Sequence, residues 1–132
     1  MSIIVDEKEK FTIEYTLRSV SFQLLWNYLS TPQGLGRWFA DDADQNQKTF
    51  TFYWNRNAMK ADMVAHRTGI FIRFRWWDDM PSRVYFEFRL SKVELTGDTI
   101  LEITDFAYPD EKEDAIDLWD KQIAELKRGL GL

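Results

Sequence analysis

From Thr49 to Ile103 the apolar residues of this chain recur at close to every second position, broken only by short turn-forming clusters. Period two is the mark of a strand with one buried and one wet face. Phe50, Phe52 and Trp54 alternate with Thr49, Thr51 and Tyr53, and Asn55-Arg56-Asn57 makes a turn. Met59, Ala61, Met63 and Ala65 then alternate with Lys60, Asp62, Val64 and His66. After a turn near Thr68-Gly69, Ile70, Ile72, Phe74 and Trp76 alternate with Phe71, Arg73, Arg75 and Trp77. Asp78 to Ser82 interrupts, and Val84, Phe86, Phe88 and Leu90 resume against Tyr85, Glu87 and Arg89. Val93 and Leu95 have the opposite parity, which predicts a bulge near Ser91-Lys92. Thr96-Gly97-Asp98 turns into a last strand holding Leu101 and Ile103.

A sheet with one apolar face has to be covered, and the last stretch supplies the cover. In Asp110–Leu130 the residues Ile116, Trp119, Ile123, Leu126 and Leu130 fall at steps of three and four, on one helical face. Asp110 is placed to cap the helix with Glu113 three residues on, while Lys127 and Arg128 suit its last turn and Gly129 and Gly131 its end. Upstream, Lys10–Arg18 is a half-buried strand with Phe11, Ile13, Tyr15 and Leu17 on one face. Ser21 offers a cap for a short helix carrying Phe22, Leu25, Trp26 and Leu29, with Val20 spaced to staple against Leu25. Thr31-Pro32 opens a second helix with Leu35, Trp38 and Phe39, weakened by Gly34 and Gly36. A polar loop with Asp41, Asp42 and Asp44 runs on to Lys48. Strands grouped between helices, without strand–helix alternation, predict an α+β domain over residues 1–132: a curved antiparallel sheet of about six strands, two short helices after the first strand, and a long C-terminal helix packed across it.

The apolar sets share one face only if the turn between the third and fourth of these strands has an even number of residues. One such register sets Ala61 opposite Phe74, Met63 opposite Ile72 and Asp62 beside Arg73, with Glu87 reaching Arg73 from the next strand. The Arg/Asp/Glu cluster is then cross-strand pairing on a solvated face, each pair contributing roughly 0.2–1 kcal/mol, and an anion site is the less favoured alternative.

Composition narrows the function classes. The chain has no cysteine, hence no disulfide and no thiolate ligand or nucleophile, which fits a cytoplasmic setting. Met1–Lys10 lacks the apolar core of a signal peptide, and no run is long enough to span a membrane. A net charge of −5 with scattered basic residues disfavours nucleic acid and anionic membranes as partners. Ten Phe, six Trp and five Tyr supply more ring volume than a plain core needs. Those rings either line a cavity or fill one.

The element order, together with Phe11–Arg18, "SVSFQLLWNYLSTPQGLGRWFADDA" and "DTILEITDFAYPDEKEDAIDLWDKQIAELKRGL", resembles the START-like (SRPBCC, helix-grip) superfamily, and most of all its heat-shock-ATPase-activator-homologue branch. There a capping serine opens the first helix, a Trp sits inside it, and "T/D-P-x-x-L-x-x-W" opens the second; Thr31, Pro32, Leu35 and Trp38 match the latter. The resemblance implies the helix-grip fold, and a function among lipid carriers, cyclases, hydroxylase domains and co-chaperones. The co-chaperone branch uses an additional N-terminal module to which nothing here corresponds. The hydroxylase branch needs a His/His/carboxylate iron site, and His66 is the one histidine. The cyclase branch works with polar groups inside its cavity, and few inward positions here are polar.

Among residues with chemistry of their own, His66 is expected at a strand end on the polar face, without the converging ligands of a metal site or the partner of a general base. Asp41, Asp42 and Asp44 lack the glycine and distal glutamate of a calcium loop. Asp105 points inward, so it must be paired or hydrogen-bonded, as a structural anchor or as the one polar group of a pocket. No catalytic residue, metal or cofactor is expected. The constellation that remains is apolar: Trp38, Phe39, Phe52, Trp54, Phe74, Trp76, Phe86, Phe88 and Trp119, with Met59, Ala61, Met63, Ile123 and Asp105 completing the lining. An empty pocket of roughly 300 Å³ would cost on the order of 7 kcal/mol, so the cavity is expected to be small, or held open by water or a ligand. The leading expectation is non-enzymatic binding of a small hydrophobic molecule between the last helix and the sheet. The alternative is a co-chaperone-like interaction module with a filled cavity, meeting a protein partner or a second copy through Phe71, Trp77 and Tyr85 on the outer sheet face. A cyclase- or hydrolase-like enzyme using Asp105 is the least favoured.

Overall fold

The computed structural model describes residues 7–18 and 20–132; the first six residues of the Met1–Lys10 stretch, on which the signal-peptide argument rests, lie outside them. Seven strands make one antiparallel sheet: β1 (Glu9–Leu17), β2 (Asp42–Asn46), β3 (Thr49–Trp54), β4 (Asn57–Arg67), β5 (Phe71–Trp76), β6 (Phe86–Lys92) and β7 (Thr99–Ala107), in the order β1-β7-β6-β5-β4-β3-β2. Helices α1 (Phe22–Ser30) and α2 (Pro32–Leu35) connect the two edge strands, and α3 (Lys112–Gly129) follows β7. The inner face, with Phe50, Phe52, Phe74, Phe86, Phe88, Leu101 and Ile103 wholly buried, packs against Trp119, Ile123 and Leu126 of α3.

Local chemistry sets the helix ends. Ser21 Oγ accepts the Leu24 N–H at 3.3 Å and so caps α1. Thr31 Oγ1 accepts from Gly34 N–H at 3.0 Å while donating to the Asn27 carbonyl at 2.8 Å, joining the start of α2 to the end of α1. α2 is only one turn, so Trp38 and Phe39 lie beyond it rather than on it. At Gly34 the backbone of α2 meets that of α1: an added Cβ would overlap Asn27 O and lie 2.5 Å from Tyr28 Cα. The glycine is there for contact, not as a weak helical residue. At the other end of the chain, Pro109 starts a 3-10 turn, Pro109–Glu111, and α3 begins after it without a side-chain cap, so Asp110 does not cap it. Gly129 is still helical beneath the Tyr28 ring, and Gly131, at φ +75°, makes the left-handed exit.

Several expectations are corrected. The polar loop after Asp41 is the edge strand β2, in which only Ala43 is buried; an edge strand this polar has no alternation to betray it. β6 pairs with β7 without a slip through Lys92, opposite Thr99, and Val93 and Leu95 lie past its end. The bulge is instead at Val64, where the β4–β5 register jumps between Met63 and Ala65. The β4–β5 turn is the odd three-residue Thr68-Gly69-Ile70, since Arg67 pairs with Phe71, and the extra residue at Val64 restores the parity. Ala61 therefore faces Trp76, Met63 faces Phe74 and Asp62 faces Arg75, two positions from the expected register. Past the bulge the faces exchange: Ala65 sits opposite Arg73 on the outer face, and His66 is opposite Ile72, on the inner-face side but exposed.

Candidate functional site

Phe39 stands at the centre of the concave face. Its ring centroid lies 5.0 Å from that of Phe52, 5.4 Å from Phe86, 5.5 Å from Trp54 and 5.7 Å from both Trp38 and Trp119. Phe88 at 6.0 Å and Trp76 at 6.3 Å complete the shell. These are contact separations for edge-on and offset rings, each pair contributing about 0.5–1.5 kcal/mol beyond its buried area. The backbone of this residue is held as firmly as its ring. Its N–H donates to Leu35 O at 2.9 Å. Its carbonyl accepts from Trp54 Nε1 at 3.2 Å and from Gln122 Nε2 at 2.9 Å. Trp38 Nε1 donates to Tyr28 O at 2.8 Å, so the whole 38–39 segment is fastened to α1, β3 and α3.

The sequence-predicted lining residues gather here with graded burial. Trp38, Phe39, Phe52, Ala61, Phe74, Phe86, Phe88, Trp119 and Ile123 are buried, whereas Trp54, Met63 and Trp76 are partly buried at the rim. Met59 pairs with Phe52 but stays 39% exposed, two residues from the start of β4 at the β3–β4 turn. Gln122 and Tyr28 belong to the assembly and were not among the predicted residues. Gln122 follows Trp119 by three, a spacing that puts it beside the apolar stripe and signals its role.

Asp105 lies near the far end of the β7 inner face, one inward position before Ala107. Its Oδ2 accepts from Trp119 Nε1 at 2.8 Å and its Oδ1 from the Phe106 N–H at 2.7 Å. Burial pushes its pKa up to about 6, and these two hydrogen bonds hold it from rising further. Both oxygens are thus engaged with the protein's own donors, which makes Asp105 the link between β7 and α3.

On the outer face Glu87, only 4% exposed, lies between two guanidinium groups. Arg73 approaches to 2.9 Å and Arg89 to 3.3 Å. Arg73 lies over the Tyr85 ring at 4.1 Å and Arg89 over Phe71 at 4.5 Å, while Tyr85 and Phe106 meet edge-on at 5.1 Å. Asp62, expected beside Arg73, instead accepts from Thr49 Oγ1 at 2.8 Å and from Trp77 Nε1 at 2.9 Å, and the Trp77 bond above all holds its carboxyl below the usual range. Trp77 sits in a 3-10 turn after β5 and is 47% exposed. Asp41 and Asp44, like Asp42, are occupied locally: they accept from the Asn55 N–H, the Tyr53 hydroxyl and the Ala43 N–H respectively. Among the described residues no three His, Asp or Glu side chains converge as metal ligands do.

Depressions mark the surface of the described residues. An open groove of about 720 Å³ is lined by Lys8, Asp79, Arg83, Val84, Phe106 and Tyr108 among others, and the Lys8–Asp79 ion pair at 3.1 Å joins two of these residues. A smaller one of about 280 Å³ lies beside Thr49, Thr51, Lys60 and Trp77. Neither is lined by the central rings. No helix among the described residues is long and apolar enough to cross a membrane.

The fold has many known relatives. A solved protein of Bacteroides fragilis, BfR322, is 48% identical, with 92% of this chain and 90% of that one covered and a TM-score of 0.68. The Aha1 dimer of Colwellia psychrerythraea superposes with a TM-score of 0.76 at 18% identity, covering 92% and 96% of the two chains. MLL2253 of Mesorhizobium loti gives 0.70 at 18% identity, over 91% and 95%. A search of curated proteins finds no match. The family model of the START-like superfamily domain matches residues 5–132. With an antiparallel sheet gripping a long C-terminal helix and that match running through it, the chain belongs to the START-like superfamily.

Proposed function

We infer that this chain is a non-enzymatic protein-interaction module whose core is closed and whose outer sheet face meets the partner. The observation that carries this is the central position of Phe39, whose ring is in contact distance of seven others. A side chain there occupies the space a ligand would need, and its backbone is pinned from three elements. Recognition then falls to the outside. Phe71, Tyr85 and Trp77, bedded against Arg89, Arg73 and Lys60, are the residue types that dominate protein interfaces. One fold neighbour, the Colwellia Aha1, is a dimer; at that identity the likeness carries the fold, and contact with another protein is part of the proposal here.

A second reading, binding of a small apolar molecule, is favoured by Trp54, Trp76 and Met63, which remain partly buried at the rim. Native mass spectrometry of a detergent-free preparation, with displacement of a fluorescent fatty acid, separates the two. The interaction module carries no co-purifying lipid and displaces no probe; a stoichiometric apolar ligand would overturn it. Partner contact is tested with a photo-crosslinking residue at Phe71, which should give adducts that the same group at Leu118, exposed on α3, does not give.

A further inference from the structure

The two edges of the sheet are built differently. β2 is five residues of mostly polar side chains, the kind of short, hydrophilic edge that resists pairing. β1 is nine residues long, pairs with β7 from Glu9 to Leu17 without a bulge, and contains no proline. Among the described residues no strand pairs with its other edge. Such an edge presents a row of backbone N–H and C=O groups that a second antiparallel strand would satisfy.

The side chains of β1 are self-complementary in one register. Lys10, Thr12, Glu14 and Thr16 share the outer face, and Phe11, Ile13 and Tyr15 the inner one. The geometry points to a homodimer formed by antiparallel pairing of β1 with β1 of a second copy, its two-fold axis at Thr12. That axis sets Lys10 against Glu14 twice, on either side of a Thr12–Thr12 pair, and brings Phe11 against the half-buried Ile13 on the inner face. Neighbouring registers are poorer. An axis at Ile13 gives no ion pair, since Lys10 meets Thr16 and Glu14 meets Thr12. An axis at Glu14 sets Glu14 against Glu14 and Lys10 against Arg18, both repulsive. An axis at Phe11 sets Phe11 on Phe11 but Lys10 against Thr12 and the carboxylate of Glu9 against Ile13, and its one ion pair needs Glu14 to take Lys8, which is held by Asp79 at 3.1 Å. The dimer would join two seven-stranded sheets into one and carry the outer faces of both copies side by side. It stands apart from the interaction proposed above, which needs no particular oligomeric state.

Charge exchange and cross-linking test it in the full chain. Sedimentation velocity of the wild type should show a concentration-dependent dimer. Glu14→Lys and Lys10→Glu should each weaken it by about tenfold or more, and the double exchange Lys10→Glu/Glu14→Lys should restore it. Because the chain has no cysteine, a single introduced thiol reports its own neighbourhood. Thr12→Cys should form a disulfide-linked dimer under mild oxidation, since directly opposed strand residues fall within disulfide reach. Thr16→Cys, on the same face, should not, its two copies being about 26 Å apart along the strands. A strict monomer at all concentrations, no recovery in the double exchange, or equal cross-linking at Thr16 would overturn the β1 dimer. So would a dimer lost on Phe71→Ala but kept in Glu14→Lys.

Discussion

The carboxyl of Asp105 sits against the indole of Trp119 where little water reaches, and the energetics of that placement are visible from outside. Its pKa is about 6 in the folded chain against an ordinary 3.8, so between those values the folded state holds the proton more tightly than the unfolded one. The stabilisation is therefore complete below the unfolded value and is lost as pH rises through 6, by about 3 kcal/mol in all. Asp62 has its pKa lowered and runs the other way, so the effect has to be read as a difference between variants. Asp105→Asn cannot titrate, and its single carbonyl oxygen serves one of the two N–H donors well. Denaturant unfolding at pH 4 and at pH 7 should show the variant gaining about 2 kcal/mol on the wild type between them, pH 4 lying just above the unfolded value; a constant gap would mean that Asp105 does not titrate there. The inward parity with Leu101 and Ile103 made this residue legible in the sequence. Its partner was not, because nothing in the spacing of Trp119 says which way the indole N–H will point.

At the scale of elements, alternation located the strands well and their mutual register badly. Phe50 to Trp54 and Phe86 to Leu90 carry a bulky residue at every second position, so each strand and its inner face could be read directly. Register depends on the turn and on any inserted residue. Val64 is apolar like its neighbours and sits in the polar phase, so nothing in the sequence distinguished an inserted valine from an exposed one. β2 is hidden for the converse reason, being a strand held by β3 rather than by any alternating burial of its own. Gly34 shows a third kind of concealment. Read locally it weakens a helix; in the structure it is where α2 touches α1. Gly34→Ala should destabilise the chain by about 3 kcal/mol or more, since backbone atoms of Asn27 and Tyr28 cannot swing away as a side chain would. Gly69→Ala is the control: its φ is +77° with open space around it, and it should cost only about 1–2 kcal/mol, through backbone strain alone. Equal losses in urea titrations of the two variants would remove the close-contact argument.

Taken whole, the molecule has to account for its sixteen per cent of aromatic residues. The inward faces of β3 to β7 and the stripe of α3 were expected to converge, and they do. Whether rings line a space or fill it depends on the segment after α2, where Trp38 and Phe39 have no regular period. Their position comes from hydrogen bonds to α1, β3 and α3 instead. Phe39 is therefore the residue on which the two functional readings turn. Phe39→Ala should cost about 3–5 kcal/mol, within the 5–15 kcal/mol that holds a typical domain together, so the variant is expected to remain folded with a lowered Tm. The vacated space would be bounded by Phe52, Phe86, Phe88 and Trp119, an apolar wall that stays dry and accepts a small aromatic molecule. Toluene or benzene at a hundred times its Kd would then return about 2.7 kcal/mol to the variant, raise its Tm and shift the emission of the tryptophans around the space, Trp38, Trp54 and Trp119 among them, while leaving the wild type unchanged. A closed core predicts that contrast. If the same molecules raise the Tm of the wild type as much as that of Phe39→Ala, the concave face already holds an open pocket, and hydrophobic-ligand binding displaces protein interaction as the function.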